Sequence, residues 1–231
     1  MSGRPATIAA AGVVVPAHDE EVLLPACLAA LRRTASALHV PVRLVVVADR
    51  CGDRTADVAR AGGARVISIQ ARRVGAARAA GMRELLRLTP GTDPSAIWLA
   101  TTDADTVVPP GWLRRQLDYT DAGWDVVLGT VTITDWDGHP AHVPVAFAER
   151  YVFSGPHHPH VHGANLGIRA SAHLAAGGFR PLRTAEDHML LAAATQAGCP
   201  VVQAPDIPVQ TSGRRLGTRT PRLQQPAADP G

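Results

Sequence analysis

Lysine is missing from the 231-residue chain; all 23 of its basic side chains other than histidine are arginine. That excludes a Schiff-base lysine and a Walker-type phosphate lysine. Aromatic residues are scarce at 4 %, against 46 % hydrophobic residues overall. The core must therefore be built mostly from Val, Leu, Ile and Ala. No apolar run reaches the roughly 18 residues that a membrane span needs. The first eleven residues hold one arginine and too short an apolar stretch for a signal peptide. The expectation is a cytoplasmic chain, with peripheral membrane contact left open. Cysteine is sparse too: Cys27, Cys51 and Cys199 stand far apart, with no metal-ligand spacing between any pair. An odd count without a secretion signal implies reduced thiols. The net charge of +3 comes without a basic stripe interleaved with aromatics, so nucleic acid is not expected as a partner. There is no Gly-X-Gly-X-X-Gly after the first apolar run, which argues against a dinucleotide site.

What is present is a regular alternation. Continuous apolar runs at 8–15, 41–48, 65–69 and 96–100 read as buried strands. Helical spacing of apolar residues over 20–38, 55–61 and 73–88 separates them. Alternating strands and helices with short connections predict a parallel sheet with helices on both faces. Beyond residue 111 the pattern predicts a helix at 112–120, a strand at 125–134 and a helix at 144–153. A Gly- and Pro-containing loop at 154–163 and a strand at 164–168 follow, then helices from 171 and over 185–197. Strands at 200–203 and 207–211 close the sequence of elements. The Arg-, Pro- and Gln-rich residues from Ser212 on read as loop or disorder. The expected organisation is one domain over 1–212 and a flexible tail over 213–231.

The apolar run 96–100 leads into Thr-Thr-Asp-Ala-Asp, then Pro109-Pro110-Gly111 and a helix from Trp112. Residues i and i+2 of an extended segment point the same way. Asp103 and Asp105 can thus converge just past a strand end, where open α/β sheets bind ligands. Two adjacent carboxylates repel unless a cation lies between them, and oxygen donors of this kind suit Mg²⁺ or Mn²⁺ carried with a diphosphate. The plain alternative is a strand-to-helix turn with an Asp cap. Glu186-Asp187 likewise fits either an acidic helix start or a catalytic carboxylate. His157, His158, His160 and His162 crowd one loop, but four histidines within six residues rarely give the converging geometry of zinc. A cleft-lining role for His162 and a polar surface loop are the two readings.

Six stretches in order carry a resemblance: Val-Val-Val-Pro-Ala-His-Asp-Glu-Glu (13–21), Val-Val-Val-Ala-Asp-Arg-Cys-Gly-Asp-Arg-Thr-Ala (45–56), Thr-Asp-Ala-Asp (102–105), Gly-Ala-Asn-Leu-Gly-Ile-Arg (163–169), Gly-Gly-Phe (177–179) and Glu-Asp (186–187). Together the chain resembles the inverting, nucleotide-sugar-dependent glycosyltransferases of family 2, over roughly residues 8 to 212. The resemblance implies an α/β GT-A fold with a mostly parallel central sheet and helices on both faces, a nucleoside diphosphate sugar donor, a hydroxyl acceptor and Mn²⁺ or Mg²⁺. It assigns the nucleotide to Pro16, Ala17, His18 and Glu20. Asp49 would bond the base, and the acid that often precedes it in the family is replaced here by Ala48. Asp103, Ala104 and Asp105 would form the metal motif, with Asp105 the direct ligand and Asp103 beside it. Gly163 and Asn165 would line the sugar and acceptor cleft. Asp187 would be the catalytic base, with Glu186 as its alternative. Arg214, Arg215 and Arg219 suggest phosphate recognition by a planar guanidinium fork, Arg215 among them, against a solvated tail. The rival readings are a nucleotidyltransferase, which would need a Gly-rich basic signature that residues 12–25 lack, a retaining transferase on the same fold, and a non-catalytic nucleotide-sugar-binding module.

Overall fold

The computed structural model describes residues 6–133, 135–136, 139–151 and 158–213. His157 and the arginines from Arg214 on, Arg215 among them, lie outside the described residues. The first half is built as the periodicity predicts. Strands β1 (Ala10–Ala17), β2 (Val42–Asp49), β3 (Arg65–Ile69) and β4 (Ile97–Thr101) form a parallel block. Helices α1 (Leu24–Ser36), α2 (Thr55–Ala61) and α3 (Val74–Arg87) connect them. All eight residues of β1 are buried, which is why the run reads as continuously apolar. Its side chains alternate between two cores. Val13 and Val15 pack with Leu24, Leu28 and Leu31 of α1, while Val14 packs with Ala77, Met82 and Leu85 of α3. α3 lies close on the sheet because residue 81 has no side chain: a Cβ there would come within 2.4 Å of Val14.

The second half contributes β5 (Thr106–Val107), α4 (Trp112–Asp121), β6 (Val126–Ile133), α5 (His142–Arg150), β7 (Leu166–Arg169), α6 (Ala170–Ala175), α7 (Glu186–Gln196) and β8 (Val201–Thr211). The strands join one sheet in the order β3-β2-β1-β4-β7-β6-β8-β5. The sheet is mostly parallel, but β7 runs antiparallel to both β4 and β6. β5 also runs antiparallel, to β8, and the whole is the mostly parallel α/β sheet that was expected. The two strands predicted at 200–203 and 207–211 are one, β8. Its pairing with β6 is interrupted between Gly129 and Val131. Pro205 and Pro208 fall opposite that interruption, where a residue without an N–H costs no ladder bond. The predicted helix over 20–38 begins only at Leu24, with Pro25 in its first turn, so Glu20 and Glu21 stay in a turn at the end of β1.

Candidate active site

The ends of β1, β2 and β4, the start of α3 and the start of α7 meet at one rim. Backbone strain marks it. Among the described residues, the non-glycine residues with positive φ are Asp19 (54°), Arg50 (55°), Arg72 (48°) and Ala185 (62°). Asp19 and Arg50 follow β1 and β2, Arg72 precedes α3 and Ala185 precedes α7. Such conformations cost on the order of 1–3 kcal/mol each and persist where surrounding contacts hold them.

Asp49 supplies one set of those contacts. It is 5 % exposed. Its Oδ1 accepts the backbone N–H of Ala71 and Arg72, each at 2.8 Å, and its Oδ2 accepts that of Arg73 at 2.9 Å. The carboxylate expected to bond a base therefore holds the loop before α3, including the left-handed Arg72. His18 joins the same structure through Nδ1, 2.7 Å from the Asp49 carbonyl oxygen. Pro16 and Ala17 are the last residues of β1, paired with Val47 and Ala48, so the turn expected at 16–20 starts only at His18. The Glu20 backbone N–H donates to the Thr55 hydroxyl oxygen at 2.8 Å.

The centre of the rim is a residue that the sequence does not single out, Arg78 of α3, 3 % exposed. Its Nη2 donates to Asp103 Oδ1 at 2.6 Å, its Nε to the Thr101 hydroxyl at 3.2 Å, and its Nη1 to Glu186 Oε1. One guanidinium thus bridges the Asp-X-Asp strand end and the acidic start of α7. Space is cleared for it by Gly163, where a Cβ would lie 2.3 Å from the Arg78 Cζ. Gly75 has a related role, since a Cβ there would strike the Arg180 carbonyl at 2.1 Å and push α3 off the loop before α7. In sequence Arg78 looks like any arginine of an Ala- and Arg-rich helix; the one signal available was the small residues around it.

The acidic pair separates by orientation. Glu186 is buried against Arg78. Burial raises its pKa, Arg78 opposes that, and the charges of Asp187 and Asp103 add to the rise. Asp187 is half-exposed. Its Oδ2 accepts Gly163 N–H at 2.9 Å and its Oδ1 that of His188 at 2.8 Å, which ties the loop before β7 to α7.

Asp103 and Asp105 are both half-buried and Ala104 is 2 % exposed. The Thr211 hydroxyl lies 3.4 Å from Asp105 Oδ1, and Ser212 N–H donates to the Asp105 carbonyl. The chain thus leaves β8 beside the Asp-X-Asp turn. Cys27 lies beneath it and donates from Sγ to the Asp103 carbonyl at 3.5 Å. Burial, then the charges of Asp103, Asp105 and Glu20, push its thiol far up. Asp103 and Asp105 offer oxygen donors only, the chemistry that a hard divalent cation takes, and Arg78 already holds one oxygen of Asp103.

Asn165 is a correction. It is 1 % exposed, and its Nδ2 donates to the carbonyls of Thr130 and Ile207 at 2.8 and 2.6 Å. Its Oδ1 accepts the Trp112 indole N–H at 2.9 Å. Both amide hydrogens are spent across the interrupted β6–β8 ladder, and none remains for a sugar. The described histidines of the 157–162 loop do not converge either. His158, His160 and His162 stack in succession, 6.1 and 5.8 Å between centroids. Tyr151 stacks on His160 at 4.1 Å and its hydroxyl meets His162 Nε2 at 3.0 Å. Burial above all drops the His162 pKa to about 4.

The sequence model of glycosyl transferase family 2 matches residues 12–175. The chain belongs to this family. No curated protein matches it in sequence. Among solved structures, TarS of S. aureus superposes with a TM-score of 0.65 at 16 % identity, covering 87 % of this chain and 36 % of that one. TarS 1–349 in complex with UDP-GlcNAc gives 0.65 at 17 %, covering 93 % and 61 %. The mannosyltransferase PcManGT from Pyrobaculum calidifontis, in complex with GDP-Man and Mn²⁺, gives 0.61 at 17 %, covering 90 % and 58 %. The family 2 chain therefore has the GT-A fold, and it spans between about a third and three fifths of these neighbours. Among the described residues no helix is long and apolar enough to cross a membrane.

Proposed function

We propose that the chain transfers a sugar from a nucleoside diphosphate sugar to a hydroxyl acceptor, with inversion and with a divalent metal. One observation supports this reading above the others: Arg78 bridges Asp103 and Glu186, which ties the Asp-X-Asp end to the start of α7, the turn that carries Asp187. A transferase needs a diphosphate-side cation site and an acceptor-side base at one rim. Asp105, with Asp103, would hold Mn²⁺ or Mg²⁺, which offsets charge on the departing diphosphate as a Lewis acid. Asp187 takes the acceptor hydroxyl proton as that oxygen attacks the anomeric carbon. Attack opposite the leaving group inverts the centre. Gly163 holds Asp187 in place through its N–H. His18, Glu20 and the 71–73 loop shape the nucleotide site, and Asp49 acts by positioning that loop.

The neighbours' ligands name the first probes. Calorimetry with UDP, GDP and their sugars, with Mn²⁺ and after chelation, should show one nucleotide whose binding needs the metal. Turnover of that donor, followed by NMR of the product anomer, should show inversion. Failure of every nucleoside diphosphate sugar to bind or be consumed overturns the reading. A retained anomeric configuration overturns the role of Asp187.

A further inference from the structure

Beside the Asp-X-Asp end lies a second group of ligating side chains with a different chemistry. His18, Asp19 and Cys51 come from the turns after β1 and β2, and their donor atoms all lie within 4.8 Å of one another. His18 Nε2 and Asp19 Oδ2 are 3.6 Å apart. With bond lengths of about 2.0–2.3 Å to nitrogen, oxygen and sulfur, the donors of a tetrahedral zinc site stand roughly 3.3–3.6 Å apart. The group needs only a small contraction to reach that. We propose that His18, Asp19 and Cys51 form a binding site for a thiophilic divalent cation of the zinc class, separate from Asp103 and Asp105.

Three further features favour it. First, two of the three ligands are aimed by a bond from their other side, as the supporting contacts of metal sites are. His18 Nδ1 lies 2.7 Å from the Asp49 carbonyl, which fixes the proton on Nδ1 and leaves the Nε2 lone pair outward. Asp19 Oδ1 accepts Gly52 N–H at 2.6 Å and frees Oδ2. The Cys51 thiol donates to the Ala17 carbonyl at 3.5 Å, a bond it gives up when a cation takes the place of its proton. Second, Asp19, at a left-handed φ of 54°, has its Oδ2 3.6 Å from His18 Nε2. Third, one thiolate and one carboxylate balance the cation's charge, and a thiolate with an imidazole selects zinc over magnesium. The cation displaces the Cys51 thiol proton to solvent on entry.

On the reading given under Proposed function, this rim also takes the nucleotide, so cation and donor exclude each other. That consequence rests on that reading; binding of the cation does not.

The test uses the whole chain without nucleotide. Cobalt(II) serves as the spectroscopic stand-in for zinc. One equivalent should give a thiolate-to-cobalt charge-transfer band, removed by zinc. Cys51→Ser should abolish the band, while Cys27→Ser, Cys199→Ser and Asp105→Asn keep it. By zinc calorimetry, His18→Ala and Asp19→Asn should each lose more than the roughly 10–100-fold that loss of a supporting contact costs. Melting curves confirm that each variant is folded, and Cys51→Ala serves as a second variant should Cys51→Ser not fold. No band in the native chain, or a band that survives in Cys51→Ser, overturns the proposal. Zinc binding with unchanged affinity in His18→Ala and Asp19→Asn assigns the metal to other histidines and overturns it equally.

Discussion

Two strand ends on this rim each present a carboxylate, and they are used in opposite ways. Asp49, after β2, is saturated by three backbone N–H groups and holds a strained loop. Asp103, after β4, is held by one side chain, Arg78, which it shares with Glu186. Backbone dipoles around Asp49 are fixed by the fold. The guanidinium at Asp103 ties two functional elements into one charged unit. The difference teaches that a carboxylate at a strand end braces its own neighbourhood when amides surround it, and joins distant elements when a guanidinium does. It also changes what variants should report: stability alone at Asp49, stability at Arg78, and on the proposed function turnover or metal dependence at the carboxylates around Arg78.

The largest effect should come from Asp187, on the chemical side of that contrast. Asp187→Asn keeps the acceptor oxygen for Gly163 N–H but cannot take a proton. General-base catalysis contributes about 10²–10⁴-fold, so turnover should fall by that order while calorimetry shows unchanged donor affinity. Loss of donor binding would move Asp187 to the framework side. Next is Arg78→Met, which leaves Glu186 and Asp103 without their shared cation. Breaking a buried pair typically costs about 3–5 kcal/mol, read by denaturant unfolding. A variant within 1 kcal/mol of native would dissolve the bridge as a structural unit.

Acid sharpens the comparison because it acts before the carboxylates do. His173 is 6 % exposed, and burial drops its pKa to about 4. Its unfolded value is near 6.5. Between these values the unfolded chain binds the extra proton, so stability is full above about pH 6.5 and falls as pH drops toward 4. The loss should be up to about 3 kcal/mol, and His162 adds to it in the same direction. His173→Leu should flatten much of this slope in melting curves taken from pH 7 to 4. An unchanged slope would place the titration on the stacked His158, His160 and His162 instead.

The sequence made half of this contrast legible. Apolar runs found β1 to β4, because strands buried on both faces read as unbroken Val, Leu and Ile. The paired residues of Asp103-Ala104-Asp105 and Glu186-Asp187 were visible as motifs because each lies within three residues. Arg78 was not, since its partners are 25 and 108 residues away. Asn165 was misplaced for the same reason: Thr130 and Ile207 meet it only after β8 has bulged past β6. Asp49 stood out as a carboxylate at a strand end, but the N–H groups it serves belong to a loop that no pattern assigns to it. β7 shows its reversed direction only in the sheet. Local pattern thus exposes elements and adjacent pairs, and hides side chains whose partners are set by topology.

Asp49 and Asp105 allow the contrast to be tested with one kind of change. Asp49→Asn retains an oxygen for Ala71 and Arg72 but turns an N–H₂ toward the Arg73 N–H. Losing a hydrogen bond to a charged group costs about 1.5–3 kcal/mol, and the variant should lose that much stability, with donor binding reduced only as the 71–73 loop loosens. Asp105→Asn should behave in the reverse sense. Its oxygen can still face the Thr211 hydroxyl, and the residue is only half-buried, so unfolding should shift by less than about 1 kcal/mol. Metal-dependent nucleotide binding should nonetheless disappear, because a neutral amide no longer offsets a divalent charge. The decisive reading is the crossed pattern: stability falls at Asp49 and is spared at Asp105, and metal dependence is spared at Asp49 and falls at Asp105. Equal stability losses at both sites would mean that Asp105, like Asp49, belongs to the framework.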